Sequence, residues 1–309
     1  MIDAFTTLLS SPMMQRSLLA ALIVGLTAPI IGTYLVHRRL AMLGDGIGHI
    51  SLTGVALGWL VGAFANVSPA DSWAIPGAVI ISLLGAITIE LVRQSGRTSG
   101  DTALAMLFYG GIAGGVLLIG LAGGTSAQLN SYLFGSISTV RWSDITLITI
   151  LGIAIVALGI GLAPALFSVT NDEDFARSTG LPVRTLSLLI AVLSALTVAV
   201  AMRVVGSLLV SALMVIPVAI AQLGARSFRS TMGIAMALGV VICMSGLSLT
   251  YFIDLSPGAT IVVGAIALYA IGFGIRAIVD RIRRVRRLRA ARGHNQHPER
   301  ELLAHKDAS

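Results

Sequence analysis

The chain has 309 residues, 56% of them hydrophobic and only 11% charged, with a formal net charge of +7 and a mean hydropathy of +0.92. That balance excludes an ordinary soluble globular domain and points to a polytopic membrane protein. The only lysine is Lys306, near the end, so no lysine is available to reach phosphates from a glycine-rich P-loop.

The first residues lack a basic stretch leading into a short apolar core and a cleavage site, so the first apolar segment is expected to remain as a span. Apolar runs follow at about 17–36, 46–65, 75–93, 102–122, 145–167, 184–202, 204–223, 231–252 and 257–277. Each is near the roughly 17 to 25 residues a helix needs to cross a core of about 30 Å. Runs this long and continuous do not fit the short alternating strands of a barrel. The fold class predicted is all-α, a bundle of eight or nine transmembrane helices.

The predicted organisation is an extracytoplasmic segment 1–16, a transmembrane domain 17–278 and a basic cytoplasmic tail 279–309. Arg38, Arg39, Arg93, Arg97, Arg177, Arg184, Arg226, Arg229 and the tail fall on one side, which the positive-inside rule makes cytoplasmic. Arg16, Arg141 and Arg203 fall on the other. From Arg276 onward nine arginines and Lys306 stand against four acids, leaving +6 of the chain's +7. Beside a last span such a tail is expected to grip anionic headgroups as a disordered end, with no nucleic-acid role.

The 34 glycines are spread through the apolar runs. Pairs such as Gly54 and Gly58, Gly110 and Gly114, or Gly111 and Gly115 predict close helix packing in lipid. Cys243, the single cysteine, predicts a small buried side chain. No complete catalytic set is present, so no catalytic residue is assigned.

Ionisable groups at membrane depth cost about 2.5 to 3.5 kcal/mol each, so each needs a partner, water or a task. Asp101 fits a helix N-terminus, while Asp144 and Asp254 fit helix ends that water reaches. Glu90 stands three residues before Arg93, which predicts an i,i+3 ion pair or a place on an ion route. Arg203 is expected to snorkel to the outer interface. Pro217, inside a run, predicts a bend that is either a static kink or a hinge.

Asp45 and His49 are four apart, so on a helix their side chains share one face. A carboxylate with an imidazole suits Zn²⁺ and also Mn²⁺. The same residues also fit a helix N-cap and a buried histidine bonded to it, and spacing alone does not separate the two readings.

Residues 38–58 (RRLAMLGDGIGHISLTGVALG), 97–115, 131–138 (SYLFGSIS), 172–184 (DEDFARSTGLPVR) and 204–223 resemble, in the same order, the blocks of the zinc/manganese ABC transporter permease family. The resemblance runs from about residue 15 to 278. It implies a permease subunit of an ABC importer for a divalent transition metal, forming a homodimer. The partners it implies are a separate ABC ATPase and an extracytoplasmic metal-binding protein, with no permanently bound cofactor.

Asp45 and His49 would line the metal path, with Glu90 a further candidate. GDGIGHISLTGVALG is more similar to zinc-type members than to manganese-type members, which implies zinc as cargo. Residues 170–184 would hold a coupling helix seated on the ATPase. Their own sequence fits this: Thr170 or Asn171 to cap it, the acidic run Asp172, Glu173 and Asp174 at its N-terminus, Phe175, Ala176 and Leu181 to dock, Gly180 to end it, and Pro182 to start the next element. A gradient-driven carrier or channel is the alternative.

Overall fold

The computed structural model describes residues 10–66, 70–96, 100–123, 125–136, 140–253 and 255–306. Its helices in chain order are α1 Pro12–His37, α2 Ala41–Phe64, α3 Ala74–Ser95, α4 Gly100–Leu121, α5 Ser126–Phe134 and α6 Trp142–Gly161. After these come α7 Ala163–Asn171, α8 Glu173–Ser178, α9 Val183–Val205, α10 Val210–Gln222, α11 Phe228–Phe252 and α12 Pro257–Lys306. No strand occurs among the described residues. Eight helices are long and apolar enough to cross a membrane: α1, α2, α3, α4, α6, α9, α11 and the part of α12 from Pro257 to Arg283. The protein is a multi-pass, all-α membrane protein.

The run 204–223 is the exception. Its first two residues finish α9, Gly206 takes φ +87°, and a helix resumes only at Val210. The 13 residues of α10 reach about 20 Å, short of the hydrocarbon core. Hydropathy registers the run as one span because the break is made of Gly206, Ser207, Leu208 and Leu209, which remain largely apolar.

The chain forms two compact units, residues 1–266 and 267–309. In the first, α1 and α9 are largely buried and α4 largely exposed. Hydroxyls inside the spans bond back one turn, as a medium without water requires: Thr27 to the Ile23 carbonyl at 2.8 Å, Thr33 to Pro29 at 2.7 Å and Thr197 to Leu193 at 2.7 Å. The Tyr34 hydroxyl donates to the Gly159 carbonyl at 2.6 Å, tying α1 to α6. In the second unit Tyr269 stacks near Phe273 and Arg276 lies 3.8 Å from Asp280. There the backbone continues as helix to Lys306, where composition predicts a disordered end; Arg, Ala, Leu and Glu are all good helix formers.

The glycine expectation holds at Gly54, Gly58, Gly111, Gly114 and Gly115, each against a neighbouring element, while Gly110 faces open space. Cys243 is buried and free. Asp144 is buried as well as capping, with its Oδ2 accepting the Arg141 N–H at 3.0 Å. Asp254, residues 97–99 and 137–138 of the family blocks, and the Arg203 side chain lie outside the described residues.

Candidate functional site

Helix α2 starts at Ala41, so Asp45 lies inside the helix and is not its cap. At 1.5 Å per residue, Asp45 and His49 sit about 6 and 12 Å along the helix. The turn of helix between them sets His49 Nε2 3.7 Å from Asp45 Oδ1. The His49 residue is 3% exposed, and its Nδ1 is buried without a hydrogen-bond partner. The Asp45 side chain keeps 22% of its surface. Phe108 of α4 sets its ring edge-on to the imidazole, with centroids 4.1 Å apart.

The glycines around this pair explain how two backbones come so close. A Cβ on Gly48 would stand 2.7 Å from the Ser207 carbonyl oxygen, and one on Gly111 2.6 Å from the His49 backbone. On the same side Gly44 faces Ser211 and Met214. Going up α2 from Gly44 to Gly48 therefore meets α10 and then the turn before it, so α10 runs antiparallel to α2. The Ser211 hydroxyl donates to Asp45 Oδ1 at 3.0 Å. Neither Ser211 nor Phe108 was singled out by sequence; two serines four apart, Ser207 and Ser211, in an otherwise apolar run were the available signal. Among the described residues no three of His, Cys, Asp and Glu group around one point, so the pair offers two ligands of its own.

A second constellation gathers at the end of the bundle where α1 stops and α2 starts. Glu90 is buried and pairs with Arg93 as the i,i+3 spacing predicts, at 2.8 and 3.0 Å, with Gln94 also donating to it at 2.8 Å. The network extends to Glu173 of α8, which pairs with Arg38 and lies 3.5 Å from Arg93. The Arg38 side chain is 4% exposed and also donates to Ser187 of α9 at 2.9 Å. Burial pulls its guanidinium below the ordinary arginine value, with Glu173 acting in the opposite direction.

Arg38 is held in place by the end of α1, where Arg39 takes φ +58° and Leu40 N–H reaches back to the Leu35 carbonyl at 2.8 Å. This is a left-handed helix stop that glycine usually fills.

Helix α8 is capped by Asp172, whose Oδ1 accepts the N–H groups of Asp174 and Phe175 at 3.0 and 2.9 Å. Thr170 and Asn171 instead close α7, which moves the cap one or two residues along. Gly180 ends α8 at φ +82°, with Leu181 N–H on the Ala176 carbonyl at 3.1 Å. Phe175 is 61% exposed, whereas Ala176 is fully buried. Ala176 therefore seats α8 on its own chain and is not part of an outer docking face. Glu173 likewise turns inward, while Asp174 and Arg177 stay outside, 3.1 Å apart. Pro217 is buried within α10, which continues across it.

Residues 10–276 match the ABC 3 transport family. The manganese transport system membrane protein MntC of Halalkalibacterium halodurans is 32% identical over 269 residues, covering 87% of this chain and 89% of that protein. The high-affinity zinc uptake system membrane protein ZnuB of Haemophilus influenzae is 29% identical over 255 residues, covering 82% and 94%. Among solved structures, PsaBC from Streptococcus pneumoniae in complex with Fab aligns with a TM-score of 0.78 at 30% identity, over 88% of this chain and 95% of that one.

Proposed function

The chain belongs to the ABC 3 transport family, and we propose that it is the membrane-spanning permease subunit of an ABC importer for a divalent transition metal. As a permease it translocates and does not hydrolyse ATP, which falls to a separate ATPase subunit. Relatives named for manganese and for zinc support the cargo class. Within it we propose Zn²⁺, on the resemblance of the Gly44–Gly58 block; the imidazole paired with a carboxylate suits both metals.

The observation that carries this reading is the Asp45 and His49 pair, 3.7 Å apart on one face of an apolar span. Two ligands hold an ion weakly enough to release it, which transit requires. In a homodimer, the partner's copies of the two residues, or water, would supply further ligands without closing the site. An extracytoplasmic metal-binding protein would deliver the ion, and the basic tail 279–309 would rest on anionic headgroups.

On the cytoplasmic side α8 is the coupling element, with Phe175 and Asp174 outward toward the ATPase and Glu173 inward on Arg38 and Arg93. A push on α8 then reaches the turn at Arg38 and Arg39, from which α2 carries Asp45 and His49. Glu90 serves in this account as the partner that holds Arg93, and Pro217 gives α10 a place to flex. Radioactive zinc uptake by the complex reconstituted with its ATPase tests the reading: transport should need ATP, and the permease alone under a zinc gradient should carry none. Transport by the permease alone would identify a gradient-driven carrier instead.

A further inference from the structure

Three features of the α2 and α10 junction converge on one side chain. The Ser211 hydroxyl donates to Asp45 Oδ1 at 3.0 Å, the same oxygen that faces His49 Nε2 at 3.7 Å. The two helices lie side by side here: a Cβ on Gly44 would come within 3.3 Å of the flexible Met214 Sδ and in ordinary contact, 3.8 Å, with Ser211 Cβ. And α10 starts at Val210, so Ser211 lies in its first turn, at the end of the helix nearest Asp45. Thr27, Thr33 and Thr197, each more than a turn into its helix, bond back to their own backbone, whereas Ser211, the second residue of α10, has no turn of helix before it. Ser211 instead reaches across 166 residues of sequence to a carboxylate.

We infer that Ser211 is a positioning residue for metal passage, fixing the Asp45 carboxylate beside His49 so that the two present one preformed pair of ligands to the ion. The inference rests on the proposed metal path and deepens it. The hydroxyl occupies a lone pair of Oδ1 and prevents the carboxylate from turning away about its Cβ–Cγ bond. Without it, the ion must order the carboxylate on arrival, so apparent affinity falls while the translocation step is unchanged. Helix α10 thereby enters the ion path through a group that is not itself a metal ligand.

The test uses the permease reconstituted with its ATPase subunit, with radioactive zinc as the probe, and compares Ser211→Ala, Ser211→Thr and Asp45→Asn. Ser211→Ala should raise KM for zinc about tenfold, the factor expected for losing a hydrogen bond to a charged acceptor, with Vmax per assembled complex within twofold. Ser211→Thr, which keeps the hydroxyl, should restore KM. Equilibrium zinc binding to the purified permease should weaken by the same factor in Ser211→Ala, and the serine change should add less than twofold to Asp45→Asn.

An unchanged KM with reduced Vmax or yield would mean that Ser211 only packs, and would overturn the inference. So would a tenfold further loss on top of Asp45→Asn, since Ser211 would then act elsewhere. If Asp45→Asn itself leaves zinc binding and uptake unchanged, the metal path fails and the inference with it. A change at Asp45→Asn with none at Ser211→Ala defeats the inference alone.

Discussion

Replacing Glu173 by glutamine removes one of the two negative charges that hold Arg38 and Arg93. Glu90 still compensates Arg93, through bonds of 2.8 and 3.0 Å. Among the described residues Arg38 has no such second carboxylate contact; it keeps the Ser187 hydroxyl at 2.9 Å and, with its side chain 4% exposed, little water.

Removing one partner from a buried ion pair costs about 3 to 5 kcal/mol. Glu173 is itself 36% exposed, so solvent screens part of the pairing and about 2 kcal/mol is the fitting figure. That corresponds to a roughly thirtyfold rise in the population of undocked α8. Hydrogen exchange followed by mass spectrometry reads this directly. Amides of the α8 segment, 173–181, should exchange about thirtyfold faster in Glu173→Gln, while the buried part of α9 stays protected. ATP-driven uptake should fall with docking, and ATP hydrolysis should become uncoupled from it. Unchanged exchange at 173–181 would refute the claim that Glu173 anchors α8 to the rest of the bundle.

Other changes probe neighbouring steps. Gly48→Ala or Gly111→Ala forces a methyl group to within 2.7 Å of the Ser207 carbonyl oxygen or 2.6 Å of the His49 backbone. Such overpacking should cost about 1 to 3 kcal/mol, seen as loss of uptake and of detergent stability, whereas Gly110→Ala, in open space, should do neither. Asp172→Ala deletes the cap of α8 and should cost about 1 kcal/mol, read as faster exchange confined to its first turn. Phe175→Ala removes an exposed ring and should leave folding intact while reducing ATPase co-purification. Equal recovery of the ATPase would place the docking contact elsewhere.

Much of the architecture was legible because its cause is local. Long apolar runs fix the spans, and residues three or four apart must meet on a helix, which gave both the Glu90 and Arg93 pair and the Asp45 and His49 pair. The run 204–223 misled because hydropathy averages over a window and does not sense that Gly206 breaks the helix while its neighbours stay apolar. Composition marked α8 as a helix ended by Gly180. The cap expected at Thr170 or Asn171 falls instead on Asp172, because a hydroxyl, an amide and a carboxylate oxygen in succession can each accept the first N–H groups, and in a six-residue helix the inward position of Ala176 has no periodicity to reveal it. The tie between Arg38 and Glu173 spans 135 positions and that between Ser211 and Asp45 spans 166. Only tertiary packing creates such pairs, so nothing local announced them.

The most direct measurement is ATP-dependent uptake of radioactive zinc into vesicles holding the permease and its ATPase, comparing wild type with Asp45→Ala and His49→Ala at matched assembly. The account predicts that either substitution lowers uptake at least tenfold while ATPase association is retained. Uptake at wild-type rates in both would contradict the metal path through α2.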